Sequence, residues 1–511
     1  MLQIRNLTIT HKKDLRTILK DFSLSLNPGD KAVIIGEEGN GKSTLIKLIY
    51  NPDIVEDYIE YTGEIISNNK KLGYLSQEMG SVDGIKSIYE YCLDIPEFLD
   101  LLPNELAHIG KTLNLGHDLF FSEQKVNELS GGEKVKLQIA RILMSHPDIL
   151  LLDEPSNDLD IETLVWLESF INKCDLPILF ISHDELLIEN TANMVIHIEQ
   201  IKRKTESKYT IAKTSYKSYI NERLSSLNKQ EQNARNEQRE FKKQVDKFMQ
   251  IQQKVEHQQN SISRQDPHGG QLLKKKMKSI KSMGKRLDKE KENLTQVPDV
   301  EESIFVKFNE KIMIPNGKTV IDFQIDELKI DDRLLSSNIH LQILGSQRIC
   351  IIGKNGVGKS TLLKIIAKEL QSRTDIKVSY MPQNYEDLLD LEKTPIDFLA
   401  TTGDKEEITR IRTYLGSMKY TADEMSHSIM ELSGGQKAKI LFLKMSLDGT
   451  NVLILDEPTR NFSPLSNPVI REVLSSFGGA IISISHDRKY IEEVCNKVYR
   501  LTEDGLFLVE K

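Results

Sequence analysis

The stretch Gly36-Glu37-Glu38-Gly39-Asn40-Gly41-Lys42-Ser43-Thr44 constrains this chain most, because it is written a second time as Gly353-Lys354-Asn355-Gly356-Val357-Gly358-Lys359-Ser360-Thr361. Each copy follows an apolar run, Lys31 to Ile35 or Ile349 to Ile352, that reads as a short buried strand, and each opens a helical pattern. The same landmarks then recur in the same order. They are a glutamine (Gln77; Gln383), Leu-Ser-Gly-Gly (Leu129 to Gly132; Leu432 to Gly435), Asp-Glu (Asp153-Glu154; Asp456-Glu457) and Ser-His-Asp around His183 and His486. The Leu-Ser-Gly-Gly serine, the glutamate and the histidine of the second copy each lie 303 positions beyond their counterparts. Such register is internal duplication, and strands alternating with helices point to two α/β units.

The residue types in these landmarks suit phosphate chemistry. In G-x-x-x-x-G-K-[ST] the glycines let backbone N–H groups curl round phosphates, the lysine reaches the terminal ones and the first hydroxyl binds Mg²⁺. Lys42 and Lys359, with Ser43 and Ser360, hold those places. Ser130-Gly131-Gly132 and Ser433-Gly434-Gly435 open helices, where a hydroxyl and bare amides make an anion site. Each Asp-Glu pair ends an apolar run, so a parallel sheet presents it at the strand's C-terminal edge, where ligands bind. Asp153 and Asp456 suit the Mg²⁺ shell; Glu154 and Glu457 suit polarising a water for in-line attack. His183 and His486 follow further apolar runs and fall near a γ-phosphate if the sheet is parallel. No aromatic stands out in either copy as an adenine platform.

Between the copies lies a segment of different character. From Lys208 to Asn293 there are 21 Lys+Arg against 10 Asp+Glu, a net +11; the whole chain is −8, which leaves −19 outside it. Good helix formers dominate it and apolar residues are sparse. Apart from Gly284, its Pro and Gly sit in a polar break, Arg264 to Gly270, so it reads as helix, turn, helix. From Lys274 to Lys291 there are nine Lys+Arg against Asp288 and Glu290, an excess that pairing along one helix cannot neutralise. A charged helical linker can be a mere solvated spacer, but this asymmetry points to a polyanionic partner. The four cysteines are scattered, without metal-ligand or disulfide spacing, which fits a reducing compartment. The start of the chain alternates like a strand and not like a secretion signal, and no apolar run approaches the roughly 20 residues that span a bilayer. A cytoplasmic location is the expectation.

In sum, the motif order is similar to that of ABC-type ATPases, and two such cassettes around a long charged helical linker resemble the ABC-F family of ribosome-associated ATPases. The resemblance implies tandem α/β P-loop ATPase domains at 1–205 and 301–511, joined by a basic α-helical hairpin at 206–300. It implies intramolecular head-to-tail pairing in a functional monomer, each ATP with Mg²⁺ lying between one phosphate loop and the opposite Leu-Ser-Gly-Gly helix. ATP contacts would come from Gly36, Gly39, Asn40, Gly41, Lys42, Ser43, Thr44, Gln77, Ser130, Gly131 and Gly132. In the second copy they would come from Gly353, Asn355, Gly356, Gly358, Lys359, Ser360, Thr361, Gln383, Ser433, Gly434 and Gly435. Ser43, Gln77, Asp153, Ser360, Gln383 and Asp456 would hold the metal; Glu154, Glu457, His183 and His486 would be catalytic.

The hairpin of that family enters the exit-tRNA site of the 70S ribosome and touches P-site tRNA and 23S rRNA, with no membrane subunit. Arg264, Lys274, Lys275, Lys276, Lys278, Lys281, Lys285 and Arg286 are the expected RNA contacts, and the tip falls within Met249 to Gln271. The interval from Gln77 to Leu-Ser-Gly-Gly is 52 residues, against 49 in the second copy, so the first cassette has almost no extra arm. The loop from Thr459 to Ser466 lacks the Leu-Asp pair seen at Leu159-Asp160 and resembles that of the antibiotic-resistance members. Those protect ribosomes from lincosamides, pleuromutilins and streptogramin A. A housekeeping translation factor of the same family is the alternative. The altered loop, and Glu185 standing where the second copy has Arg488, argue that the two sites are not equivalent.

Overall fold

The computed structural model describes residues 1–201, 205–261, 267–295, 308, 313–330 and 333–509. Lys31–Ile35, Ile149–Asp153 and Ile178–Ile181 are buried along their whole length, as expected of strands inside a parallel sheet covered on both faces. They belong to a six-stranded sheet ordered Leu72–Leu75, Ile149–Asp153, Ile178–Ile181, Lys31–Ile35, Met194–Ile201, Glu206–Ala212. The first five strands run parallel and the last is antiparallel. The second copy repeats this order with Val378–Met381, Val452–Asp456, Ala480–Ile484, Arg348–Ile352, Lys497–Thr502 and Gly505–Val509. This is the α/β duplication that the sequence implies.

Each sheet packs one face against the helix that follows its phosphate loop, Lys42–Tyr50 or Lys359–Gln371. Ile34, Leu45 and Phe22 share one core, and Ile351, Leu362 and Phe323 share its counterpart. Side chains of this size contribute about 1.5–3 kcal/mol each when fully buried. Antiparallel strands close the outer side: Thr17–Leu26, Leu2–His11 and Ile59–Ile66 in the first copy, Thr319–Ile330 and Arg333–Leu344 in the second. Because the central strands are parallel, their C-terminal ends gather on one edge. The phosphate loops, the Asp-Glu pairs and both histidines emerge there.

Both copies belong to one compact unit, Met1–Tyr216 with Glu301–Lys511, and Lys217–Val300 form a second. Just past the boundary expected at 205/206, Glu206–Ala212 pairs with Met194–Ile201 as the edge of the first sheet. The second unit contains two helices, Tyr216–Ser261 and Pro267–Glu292, about 69 and 39 Å long at 1.5 Å per residue. The expected break to Gly270 is narrower, since the second helix already begins at Pro267. Proline suits a first helical position, where no N–H partner is needed. Arg264 lies outside the described residues.

The hairpin is less polar than its composition suggests. Val255 and Ile280 are buried, with Phe248 and Met277 packed against them. Ala234, Phe241, Val245, Phe248 and Val255 fall at heptad spacing, as do Met277, Ile280, Gly284 and Leu287, and none of these is exposed. That is a coiled-coil seam. Gly284 is part of it: a Cβ there would meet the Phe248 ring at 3.3 Å. Near the base, Glu237 accepts from the Thr295 N–H at 2.7 Å and its hydroxyl at 3.0 Å, and these bonds hold the Glu237 carboxyl below its usual range. Ile280→Ala is expected to cost roughly 2 kcal/mol of helix pairing. Hydrogen exchange of amides in 245–258 and 277–287 should then quicken about thirtyfold, while the cassette sheets keep their protection.

Candidate nucleotide sites at the cassette interface

Each phosphate loop is folded by its own lysine. Lys42 Nζ donates to the carbonyls of Gly36 (2.9 Å) and Glu37 (3.0 Å), and Lys359 Nζ to those of Gly353 (2.8 Å) and Lys354 (2.9 Å). Gly36 and Gly353 are required at the turn: their φ values are +146° and +156°. A Cβ would come within 2.2 Å of the Ile198 carbonyl oxygen or 2.6 Å of that of Leu501. Asn40 also points backwards, donating to the Ile198 carbonyl at 3.1 Å.

The second loop opens on a cavity of about 460 Å³. Its walls include Asn355, Gly356, Gly358, Lys359, Ser360, Thr361, Gln383, Asp456, Glu457 and His486 from the second copy. Gly131, Asn157, Asp158 and His183 come from the first. The cavity at the first loop, about 380 Å³, is lined by Gly39, Gly41, Lys42, Ser43, Thr44, Gln77, Glu154 and His183, with Arg460 and Asn461 from the second copy. Both are therefore composite. Ser130 and Ser433 turn to their own helices, in capping boxes with Glu133 and Gln436. Gly434 and Gly435 lie against Glu38.

Ser43 Oγ donates to Asp153 Oδ1 at 2.8 Å, and Ser360 bonds Asp456 in the same way. Burial lifts both aspartates above their ordinary range. In each copy a buried carboxylate bonded to a hydroxyl that lines the pocket, with exposed Gln77 or Gln383 on the same wall, is an oxygen donor set that fits Mg²⁺. Glu154 and Glu457 both sit at φ +52°, a strained conformation for a residue with a side chain.

The two glutamate–histidine pairs differ. In the first copy His183 Nε2 lies 3.0 Å from Glu154, and Nδ1 is 2.7 Å from the Phe462 carbonyl of the other copy. Burial opposes charge on His183, but Glu154 and that carbonyl raise its pKa above the ordinary value. In the second copy the separation is 3.8 Å and His486 Nδ1 is buried without a partner among the described residues. Burial, with Asp456 alongside, pushes Glu457 up to about 8. Burial, with Lys359, pulls His486 down to about 4. At neutral pH that pair is not an ion pair.

The loops that follow the glutamates meet across the interface. Arg460 bonds Asp158 at 3.0 Å, Asn355 Nδ2 donates to the Asp158 carbonyl, and Gln383 Nε2 reaches Asp158 Oδ1 at 3.5 Å. Arg460, Asn157 and His183 line both cavities. Deeper in, Arg471 is bidentate to Glu185 (2.8 and 3.2 Å), Lys489 reaches Glu185 at 2.9 Å, and Arg488 pairs with Glu168. By the 303-residue register Arg471 is the counterpart of Glu168, and Arg488 that of Glu185. The two pairs are thus duplicate positions with acids on one copy and arginines on the other.

Sequence reading did not assign Glu37, Glu38, Asn157, Asp158, Arg460 or Asn461. The usable signal was the departure of the loop after Glu457 from its first-copy counterpart. His11, Ile18 and Tyr58 in one cavity, and Ile330 and Leu335 in the other, form the wall beyond the phosphate loop.

A parallel-sheet core, a lysine-folded loop, a desolvated aspartate and a strained glutamate, twice over, define a tandem-cassette nucleoside-triphosphate-binding protein. The family model described as ABC transporter matches residues 19–157 and 336–460, just over half of the chain. The chain belongs to that ATP-binding-cassette family and is an ABC-F-type ATP-binding protein with two cassettes, which imply ATPase activity and binding of ATP, typically with Mg²⁺. It is 26% identical to "ABC transporter F family member 2" of Arabidopsis thaliana, over 96% of this chain and 75% of that one. It is 28% identical to "Ribosome protection protein VmlR" of Bacillus subtilis, over 99% and 88%. A crystal structure of an archaeal ribosome recycling factor with a ribosomal stalk protein shares the fold, with TM-score 0.58 and 15% identity over 98% of this chain and 89% of that one. No helix among the described residues is long and apolar enough to cross a membrane.

Two outcomes check this interface. Arg471 and Glu185 are nearly fully buried, so Arg471→Ala is expected to cost about 3 kcal/mol in urea melts, and adding Glu185→Ala less than its single cost, a coupling above about 1 kcal/mol. For Glu457 the folded pKa exceeds the unfolded one, so its contribution is full below about pH 4.5 and lost as pH rises through about 8. Glu457→Gln in EDTA should accordingly gain Tm relative to the parent across that window and hold a constant advantage above it.

Proposed function

We propose that this protein is a cytoplasmic, ribosome-binding ATPase. Its hairpin enters the exit-tRNA site and displaces, or protects against, antibiotics at the peptidyl-transferase centre. The observation that carries the reading is the charge on the hairpin's second helix. Lys274, Lys275, Lys276, Lys278, Lys281, Lys285 and Arg286 are all exposed, and among the described residues only Arg286 of these is ion-paired, with Glu290 at 3.3 Å. A cationic helix of this kind binds phosphate backbones with strong salt dependence and little base readout. The Bacillus subtilis relative, named as a ribosome protection protein and matched over 88% of its length, supports the same direction.

In this reading ATP with Mg²⁺ closes the cassettes and sets the hairpin for entry. Lys42 and Lys359 would reach the terminal phosphates, Asp153 and Asp456 with Ser43 and Ser360 would hold the metal, and Gln77 and Gln383 would offer it further oxygens. Glu154, and Glu457 in its ionised form, would polarise the attacking water while His183 and His486 would bond the γ-phosphate. The apolar walls around Ile18 and Leu335 take the base. Hydrolysis reopens the cassettes and releases the factor.

The test is Glu154→Gln with Glu457→Gln. With Mg·ATP the doubly substituted protein is expected to accumulate on 70S ribosomes in sedimentation, and raised salt should remove it steeply. Failure to sediment with ribosomes at low salt in any nucleotide contradicts the proposal. A deletion strain then separates the two roles: greater sensitivity to lincosamides, pleuromutilins or streptogramin A supports protection, whereas a translation defect with unchanged sensitivity makes it a housekeeping factor.

A further inference from the structure

The two phosphate loops carry opposite charge. Between the first glycine and the lysine, the first has Glu37 and Glu38 where the second has Lys354 and Asn355. Counting the loop lysine, the first is −1 and the second +2. A loop that cradles polyphosphate gains from positive charge and backbone amides, so two carboxylates in it call for a physical account.

Both acids have partners on the other cassette. Glu37 accepts from Ser463 Oγ at 2.8 Å and from Ser466 Oγ, with Lys439 Nζ 3.6 Å away. Ser463 is the register counterpart of Asp160, so the aspartate lost from the second copy is the one that would have faced Glu37. Glu38 goes to the signature helix itself. Its carboxylate accepts from the Gly435 N–H and lies where a Cβ on Gly434 would be 3.2 Å away. Its counterpart Asn355 instead donates to the Asp158 carbonyl and faces the Lys359 ammonium through Oδ1 at 3.4 Å.

The amide at Gly435 opens the 14-residue helix Gly434–Leu447, on the side of the first loop where the composite-site reading puts the γ-phosphate. A carboxylate already bonded there satisfies the amide and places a negative charge on the wall of the cavity, since Glu38 is one of its lining residues. Incoming ATP must displace it or bear the repulsion. At the second loop no equivalent acid stands against the helix among the described residues: Gly131 lines the cavity and the loop side chain beside it is the neutral Asn355.

We propose that Glu38 is a built-in anionic ligand of the second signature helix, which holds the first site closed without nucleotide and makes it bind ATP more weakly than the second. The inference rests on the ATP-site reading and not on the ribosomal one. It is tested by equilibrium binding of Mg·ATP to the full chain carrying Glu154→Gln and Glu457→Gln. One tight site and one at least about tenfold weaker are expected, a gap of ~1.4 kcal/mol. Glu38→Asn, and the near-isosteric Glu38→Gln, should bring the weak site to within about threefold of the tight one. Asn355→Glu should weaken the tight site. Two equal sites in the parent, or a weak site unmoved by both Glu38 substitutions, would overturn the proposal. Absence of any Mg·ATP binding would instead remove the ATPase reading beneath it.

Discussion

Everything distinctive in this molecule depends on the contact between the phosphate loop of one cassette and the signature helix and following loop of the other. Neither cavity is complete without it. Gly131 and Asp158 close the wall facing Asn355 and Lys359, while Arg460 and Asn461 close the wall facing Ser43 and Glu154. The parallel sheets make this possible, because they deliver loop, Asp-Glu pair and histidine to one edge, and only a second such edge can complete the pocket. The strained glutamates are tolerated there because the surrounding elements hold them from both sides.

Duplication within one chain frees the interface from symmetry. In a homodimer, Glu168 would face Glu185 and Arg471 would face Arg488 across the axis, and like charges would be buried together. With two copies free to diverge, acids occupy one side and arginines the other, which favours pairing of unlike cassettes over like ones. The same divergence reaches the sites. Glu37 meets serines where an aspartate would repel it, His183 binds a cross-interface carbonyl, and His486 Nδ1 has no counterpart contact.

Much of this was legible in the residues. The buried strands, the loop glycines, the aspartates bonded to Ser43 and Ser360 and the two helices of the linker follow from periodicity and motif order, since local pattern sets them. The head-to-tail pairing came only from family resemblance, because no periodicity reports which surfaces meet. The hairpin seam escaped notice because four or five apolar residues in each helix are diluted by charge, though their heptad spacing was there to count. Glu37 and Glu38 carry no signal in the motif, because the pattern tolerates any residue at those places. Their meaning depends on Ser463, Ser466 and Gly435, some 400 positions away in sequence.

The composite-site arrangement is tested most directly by photocleavage of the full-length monomer with Mg·ADP and orthovanadate, which cuts backbone beside the trapped γ-phosphate position. The account predicts cuts at the phosphate loops near Ser43 and Ser360, and, across the interface, at the signature serines Ser433 and Ser130. Cuts confined to the phosphate loops would contradict it.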